Sequence, residues 1–505
     1  MLDASLPPAL DPRVESGLRW AAARQLVTGV AGTAGVVAYA RFLQPADMGA
    51  AGLAFLVYNG LFLLVRAPIQ DAVVYYRDED GAHGSAAFWL LLVFSTVAVA
   101  LVMAGAGFFA RLYQAPVAEG LTRAAALAFY LQALAVVPGA LLLQRFRFAA
   151  YEGWMMVLQI IQLAGWVTLA ASGFGAWSLI LPAAAVSLLW VAVSWALTRF
   201  RPARRPGRDA LRDVVRFSRS LFGSKLLVYL KNNLDNAAAG TLGESALGWY
   251  VLGEDQSQFA TVGVGGPVAQ IALPAMAAVR AEGERLARIY LDMLRLTATL
   301  STPMQIGVLV LADLGLGVIF GPQWLPATNV LRAYVAFRLI DTLLQISDAA
   351  ASAMGRPDLP LKYELWQLPF FVAGIAFGLR VWGGIAGIAA SLAIVRSVAG
   401  IVYFAVTLRA ARVDLRTARR ALLPGTLASL VMGAVVYGLR ALLPPLDDGV
   451  RLIVLVLAGL PVYAGLLFAL DPAGFKEIAR MAWEILVPEA LRRRIASAAA
   501  RRLRA

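Results

Sequence analysis

"RFLQPADMGAAGLA", residues 41–54, and "GTLGESALGWYVL", residues 240–252, decide how this chain is to be folded. Each closes one apolar run and opens the next. Each also sets a leucine six residues before a glycine, Leu43 with Gly49 and Leu242 with Gly248, at an offset of 199 residues. Two further stretches repeat at an offset of 209: "EGLTRAAALAFYL" (119–131) lies over "TNVLRAYVAFRLI" (328–340), and "FGAWSLI" (174–180) over "GGIAGIA" (383–389). Arg123 then pairs with Arg332, and Gly175 with Gly384. The chain reads as two copies of one unit.

Composition says where those copies sit. Of 505 residues, 60% are hydrophobic and 15% charged, with a mean hydropathy of +0.71. Soluble domains carry about 25% charged residues. Apolar runs of about 18 residues or more recur between Trp20 and Leu470, enough to cross a hydrocarbon core of about 30 Å as helices. Barrel strands would instead give short alternating segments. With Gly, Pro and charge clusters as punctuation, spans are expected near 18–40, 47–68, 86–110, 121–143, 154–172, 176–198, 219–242, 246–271, 293–320, 328–350, 363–381, 384–407, 421–443 and 450–470.

Arginine sets the orientation. "RFRPARRPGRDALRDVVRFSR" (199–219) holds eight arginines and "RAARVDLRTARR" (409–420) five, so both belong on the cytoplasmic side. With fourteen spans and the N-terminus inside, the inner connections carry 22 Lys and Arg and the outer ones only Arg41, Arg111, Arg123, Arg380, Arg440 and Arg451. Both termini are then cytoplasmic. The second copy enters with the same orientation as the first, making a parallel repeat related by an axis along the membrane normal. In transporters of that kind the substrate site lies between the halves.

The expected organisation is all-α: a cytoplasmic N-terminus (1–18), an N-lobe (19–198), a basic connection (199–218), a C-lobe (219–407), a basic loop with two appended spans (408–470) and a cytoplasmic tail (471–505). The tail's Phe475, Ile478, Ala482 and Ile485, then Arg492, Arg493, Arg494, Arg501, Arg502 and Arg504, read as an amphipathic surface helix drawn to anionic lipid. The N-terminus has acids and prolines where a signal peptide would be basic, so the first span is expected to be uncleaved.

A net charge of +14 in such a chain points to the anionic inner leaflet rather than to nucleic acid. Intramembrane polar residues are expensive and therefore candidates for function. On "KLLVYLKNNLDNAAAG" (225–240), Lys225, Tyr229, Asn232 and Asn236 fall within about 60° on a helix, with Lys231 and Asp235 alongside. Cations suit phosphates, and amides and hydroxyls suit sugars, so this row could bind a charged, sugar-bearing head group. The first span offers Arg24, Gln25 and Thr28 at similar depth and no carboxylate from Ser16 to Ala46. The plainer reading has Lys225 snorkelling to the surface, Lys231 pairing with Asp235, and Arg24 anchoring the interface.

Asp235, Glu254 and Asp255 are candidates for ion coupling, the last two unless they stay solvated in an outer vestibule. Arg338 and Asp341, three apart, read as a structural pair. Arg66 and Asp71 could form a cytoplasmic gate contact. No GxxxxGK[ST] loop is present, the single histidine, His83, sits in a loop, and "GVGGP" (263–267) follows no strand. Cysteine is absent, and no cofactor, metal or catalytic residue is expected.

In order along the chain, "ARFLQPADMGAAGLA", "NNLDNAAAGTLGESALGWYVL", "PVAQIALPAMAAV", "FGPQWLPATNVLR", "AMGRPDL" and "GGIAGIAASLAI" resemble the polysaccharide transporter family of lipid-linked oligosaccharide flippases, within the superfamily of multidrug extruders and peptidoglycan-precursor flippases. The resemblance runs from about residue 19 to 407 and rests on order and spacing rather than one motif. It implies two six-helix lobes around a cavity and export of an undecaprenyl-pyrophosphate-linked sugar unit across a bacterial inner membrane, with polysaccharide polymerase machinery as a potential partner. "VLGEDQSQF" (251–259) departs from the family's small and apolar pattern by placing Glu254 and Asp255 there. A drug or metabolite antiporter of the same superfamily and a membrane-embedded glycan polymerase or ligase are the alternatives. The first would want an acid-lined cavity, and the second a large external loop or an external cluster of acids, and neither is evident.

Overall fold

The computed structural model describes residue 32 and residues 35–76, 81–258, 261–444, 446–472 and 474–476. Among them no strand occurs. The helices are α1 (Pro45–Tyr75), α2 (Ala82–Leu112), α3 (Pro116–Gln144), α4 (Phe148–Ala171), α5 (Trp177–Thr198), α6 (Arg208–Gly240), α7 (Glu244–Ser257), α8 (Gly266–Ala278), α9 (Gly283–Phe320), α10 (Thr328–Ala353), α11 (Asp358–Trp382), α12 (Gly384–Ala410), α13 (Leu415–Leu442) and α14 (Asp448–Leu470). Ten of these are long and apolar enough to cross a membrane. The helices that fall short are α6 and α10, which carry too much charge, and the α7–α8 stretch, which is broken by a π turn. They carry Lys225, Tyr229, Lys231, Asn232, Asp235 and Asn236 on α6, Glu254 and Asp255 on α7, and Arg338 and Asp341 on α10.

The helices form two compact units. Of the described residues, the first unit holds those up to Leu252 with the short segments 319–326 and 382–388. At its centre α3, 67% of whose most apolar window is buried, packs against α1, α2 and α5. The buried face of α3 is rich in alanine, including Ala125, Ala126, Ala128, Ala133, Ala135 and Ala140, which lets neighbouring backbones approach closely. On the outside of α2, Val93, Phe94, Val97, Leu101 and Phe108 are 53–69% exposed, an apolar face of the kind that lipid covers. The second unit comprises the remaining residues, with α9 packed against α10, α13 and α14. Ile453, Leu457 and Leu460 of α14 turn outward, each at least 60% exposed.

Two features of the structure carry the internal repeat into three dimensions. The first lies where α1 and α7 start. A Cβ on Gly49 would stand 1.8 Å from the Glu244 carbonyl oxygen, and a Cβ on Gly248 would stand 1.9 Å from that of Pro45. Shifting Pro45 and Gly49 by 199 residues gives Glu244 and Gly248, so the contact is reciprocal, as a two-fold relation requires. The second is a pair of π turns, Phe62–Arg66 and Thr261–Gly265, each followed two residues later by proline, Pro68 and Pro267. The same offset of 199 relates them. A proline ring clashes with the carbonyl four residues back, and widening the preceding turn relieves it.

At the same end of the first unit, the turn Pro322–Ala327 folds onto the chain. Buried Trp324 donates its indole N–H to the Ala40 carbonyl at 2.9 Å, Trp249 donates to Gln323 O at 2.9 Å, and Arg41 Nε to Ile319 O at 3.1 Å. Asp47 caps its own helix through the Gln44 N–H at 3.0 Å and accepts the Ala176 N–H at 3.1 Å. Positive φ at Gly175 (+52°) brings that amide to the carboxylate.

Candidate functional site

The polar row lies on one unbroken helix. α6 has 33 residues and begins at Arg208, inside the stretch expected to be a connection, because "RDALRDVVRFSR" alternates buried Ala210 and Val214 with exposed arginines at helical spacing. Within α6, Lys225 Nζ lies 3.4 Å from Asp71 Oδ2 of α1. Tyr229 donates its hydroxyl to the Leu56 carbonyl at 3.1 Å and packs on Gly60, where a Cβ would be 3.2 Å from its ring. Asn233 Nδ2 reaches back to Tyr229 O at 2.9 Å. Lys231 is half-buried, whereas Asn232 is exposed.

Asp235 is the most buried of the group, 1% exposed. Its carboxylate accepts the Tyr250 hydroxyl at 3.2 Å on one oxygen and the Asn236 N–H at 3.0 Å on the other. Tyr250 is itself fully buried on α7, so the carboxylate ties the last turns of α6 to α7. Arg24, Gln25 and Thr28 lie outside the described residues.

Asp71 is taken by Lys225, and Arg66 makes no contact with it. Arg66 instead turns into the first unit: its guanidinium donates to Gln132 Oε1 of α3 at 2.6 Å and lies 4.5 Å over the Phe62 ring. Among the described residues no carboxylate is within ion-pair reach of it, and its Nε is buried with no acceptor. The repeat explains how unusual this is. By the 199 offset Arg66 corresponds to Gly265, and by the 209 offset Gln132 corresponds to Asp341. In the second copy the acid is therefore present and the α1-type arginine is not.

In the second unit Asp341 is neutralised within its own helix, Arg338 donating at 2.8 Å with both side chains at most 24% exposed. Around that pair is a hydrogen-bonded layer: Gln305 Nε2 donates to Thr342 Oγ1 at 2.8 Å, Thr342 and Thr261 hydroxyls meet at 3.1 Å, and Arg338 Nε reaches Ser257 Oγ at 3.4 Å. Asp255 is exposed and close enough to Arg338 to feel its charge, while Glu254 is half-buried. Farther along, Arg396, 5% exposed, is sandwiched between Phe337 and Phe371 at 5.2 and 5.1 Å.

Sequence reasoning did not single out Gln132, Gln305 or Arg396. Glutamine and arginine inside apolar runs were the available signal. A second ion network, Asp313 held by Arg440 at 2.6 Å and by Arg332 at 3.0 Å, fastens α13 to α9 and α10. Among the described residues no group of His, Cys, Asp and Glu is arranged to hold a metal ion. What the described polar groups can do is bind: Arg66, which has no carboxylate partner, and a row of amides, hydroxyls and lysine in the first unit, and the Arg338–Asp341 pair with its hydrogen-bonded layer in the second.

Comparison with known proteins agrees with this architecture. The chain is 27% identical over 299 residues to the succinoglycan biosynthesis transport protein ExoT of Rhizobium meliloti (strain 1021), covering 58% of this chain and 59% of that one. It is 26% identical over 187 residues to the teichuronic acid biosynthesis protein TuaB of Bacillus subtilis (strain 168), covering 35% of this chain and 39% of the other. The matches thus span well under two thirds of these relatives' lengths. Among solved structures, a lipid II flippase MurJ in an inward closed conformation superposes with a TM-score of 0.72 at 14% identity, covering 89% of this chain and 98% of that one. An inward-facing multidrug resistance MATE family transporter gives 0.57 at 16%, with 75% and 94% covered. Those likenesses establish the fold, a multi-pass helical membrane transporter fold. The model of the family described as "Polysaccharide biosynthesis protein" matches residues 38–329, more than half of the chain, and the protein belongs to that family.

Proposed function

We propose that this protein is a flippase that moves an undecaprenyl-pyrophosphate-linked oligosaccharide across the bacterial inner membrane for polysaccharide export, by alternating access. The observation that carries the reading is Arg66, a half-buried guanidinium on a helix apolar enough to span a membrane, bonded to a neutral glutamine where the repeat would supply an acid. A desolvated, uncompensated cation is costly to keep, and an anionic head group would balance it. The row on α6 would serve the sugar, through Asn232, Asn236 and Tyr229, and the phosphates, through Lys225 and Lys231, and Arg24, Gln25 and Thr28 would add to the same binding set. Asp235, Glu254 and Asp255 are the ion-coupling candidates, and the Asp235 carboxylate links α6 to α7 through the Tyr250 hydroxyl.

In this reading residues 19–198 and 219–407 are the rocking lobes, 408–470 an appended hairpin, and both termini are cytoplasmic. The protein is a transporter rather than an enzyme, and polymerase machinery would take its product on the outer side. The test is translocation of a labelled undecaprenyl-pyrophosphate oligosaccharide in proteoliposomes, wild type against Arg66→Gln, Lys231→Ala and Asp235→Ala. The reading expects transport by the wild type and a loss of at least about tenfold in the variants, the scale of one charge-assisted contact. No wild-type transport, or transport indifferent to all three changes, would overturn it. Proton-driven efflux of a cationic drug in place of lipid movement would move the assignment to an antiporter.

A further inference from the structure

The first three turns of α6 carry a feature that neither the fold nor the polar row uses. Arg208, Arg212, Arg216 and Arg219 follow one another at spacings of four, four and three residues, and with Leu211 and Val215 they line an open groove of about 510 Å³. The opposite side of this helix is fully engaged: Ala210 and Val214 are buried with Phe88, Val137 and Phe200 in an apolar cluster. The groove side is therefore fixed in direction. At about 100° per residue its four arginines fall within about 80° of one another, while Asp209 and Asp213 lie on the flank. The acids do little to neutralise the row. Asp209 is 3.7 Å from Arg212, but the two side chains are 95% and 70% exposed, and such a pair is worth little. Asp213 lies 3.6 Å from His83 Nε2.

A row of four guanidiniums with apolar residues between them matches a ligand whose charge is concentrated and whose remainder is greasy. Bidentate recognition suits phosphate oxygens above other anions. The same helix runs on without a break into Lys225 and Lys231, so a phosphate held at Arg219 is about 9 Å, six residues of helical rise, from the first intramembrane lysine. We propose that this arginine ladder is the landing site for the diphosphate head group of a polyprenyl lipid, which it passes along α6 toward the intramembrane row. The inference rests on the proposed flippase function and adds where the substrate is first captured.

The ladder raises the local concentration of substrate without contributing to the crossing step. Changing all four arginines to Gln is therefore expected to raise the KM for a polyprenyl-diphosphate oligosaccharide by about tenfold or more in neutral phosphatidylcholine vesicles at low salt, with turnover within about twofold. The all-Lys variant, which keeps the charge, should recover most of that loss, and added salt should erase the difference. An unchanged KM, or a fall in turnover alone, overturns the proposal. So does a KM effect seen only in vesicles containing phosphatidylglycerol, which would give the groove to bulk anionic lipid. Binding of undecaprenyl diphosphate against neutral undecaprenol to the solubilised full chain, by native mass spectrometry, separates the two ideas. If the wild type moves no sugar lipid, the proposed function fails, and the ladder still stands or falls on whether the Gln variant loses the preference for the diphosphate. The Arg208→Gln/Arg212→Gln pair, both exposed, gives the same readout should the quadruple variant fold poorly.

Discussion

At the scale of the residue, Arg66 and Asp235 are opposite solutions to placing charge in an apolar interior. Asp235 is satisfied by Tyr250 and the Asn236 amide, whereas Arg66 has a neutral partner and a buried Nε without one. A well-fitted apolar replacement of an uncompensated buried charge is neutral or stabilising. The pair Arg66→Met/Gln132→Leu, which also removes the amide that would otherwise lose its donor, should gain about 1 kcal/mol or more in thermal unfolding in detergent. Transport by the same variant should fall. A loss of stability would mean that Arg66 is structural.

The reciprocal glycine contact belongs to the scale of elements. Gly49 and Gly248 let α1 and α7 cross with backbone touching backbone, and any side chain there meets a carbonyl rather than a flexible neighbour. Gly49→Val and Gly248→Val should each cost about 1–3 kcal/mol by overpacking, and the double variant clearly less than the sum, because one separation relieves both clashes. Additive losses in melting temperature would show two independent contacts. Another tie joins α9 to the residue following α14, Arg295 donating to Asp471, which also accepts the Gly474 N–H at 3.1 Å. Burial alone would raise the Asp471 carboxyl, but the Arg295 hydrogen bond and the backbone N–H outweigh it and hold the carboxyl below its ordinary value. A lowered native value means stability that is complete above the ordinary carboxylate range and lost as pH falls through the native value. Asp471→Asn should therefore melt below wild type at pH 7, and the gap should close below about pH 4.

For the whole molecule, the strongest claim from sequence alone is topology. Arginine in the 199–207 stretch and acids at Asp447 and Asp448 belong on opposite sides if the positive-inside bias holds. The absence of cysteine makes every introduced thiol unique. Arg205→Cys should react with an impermeant maleimide only after the cells are opened, and Asp447→Cys in intact spheroplasts. The reverse pattern would invert the orientation, and with it the side on which the arginine ladder waits.

What the sequence determined by itself was the membrane class, the order of the helices and the repeat, since apolar length and a glycine spacing are local properties that survive without coordinates. It also marked the row on α6, because charge inside an apolar run is visible wherever it points. Which of those charges are spent could be decided only by the tertiary structure. Lys225 and Arg66 read alike in sequence; packing gives Asp71 to the first and leaves the second with Gln132. Pairing between residues more than sixty positions apart is set by how helices pack, and no periodicity along one helix encodes which neighbour's carboxylate will be within 4 Å.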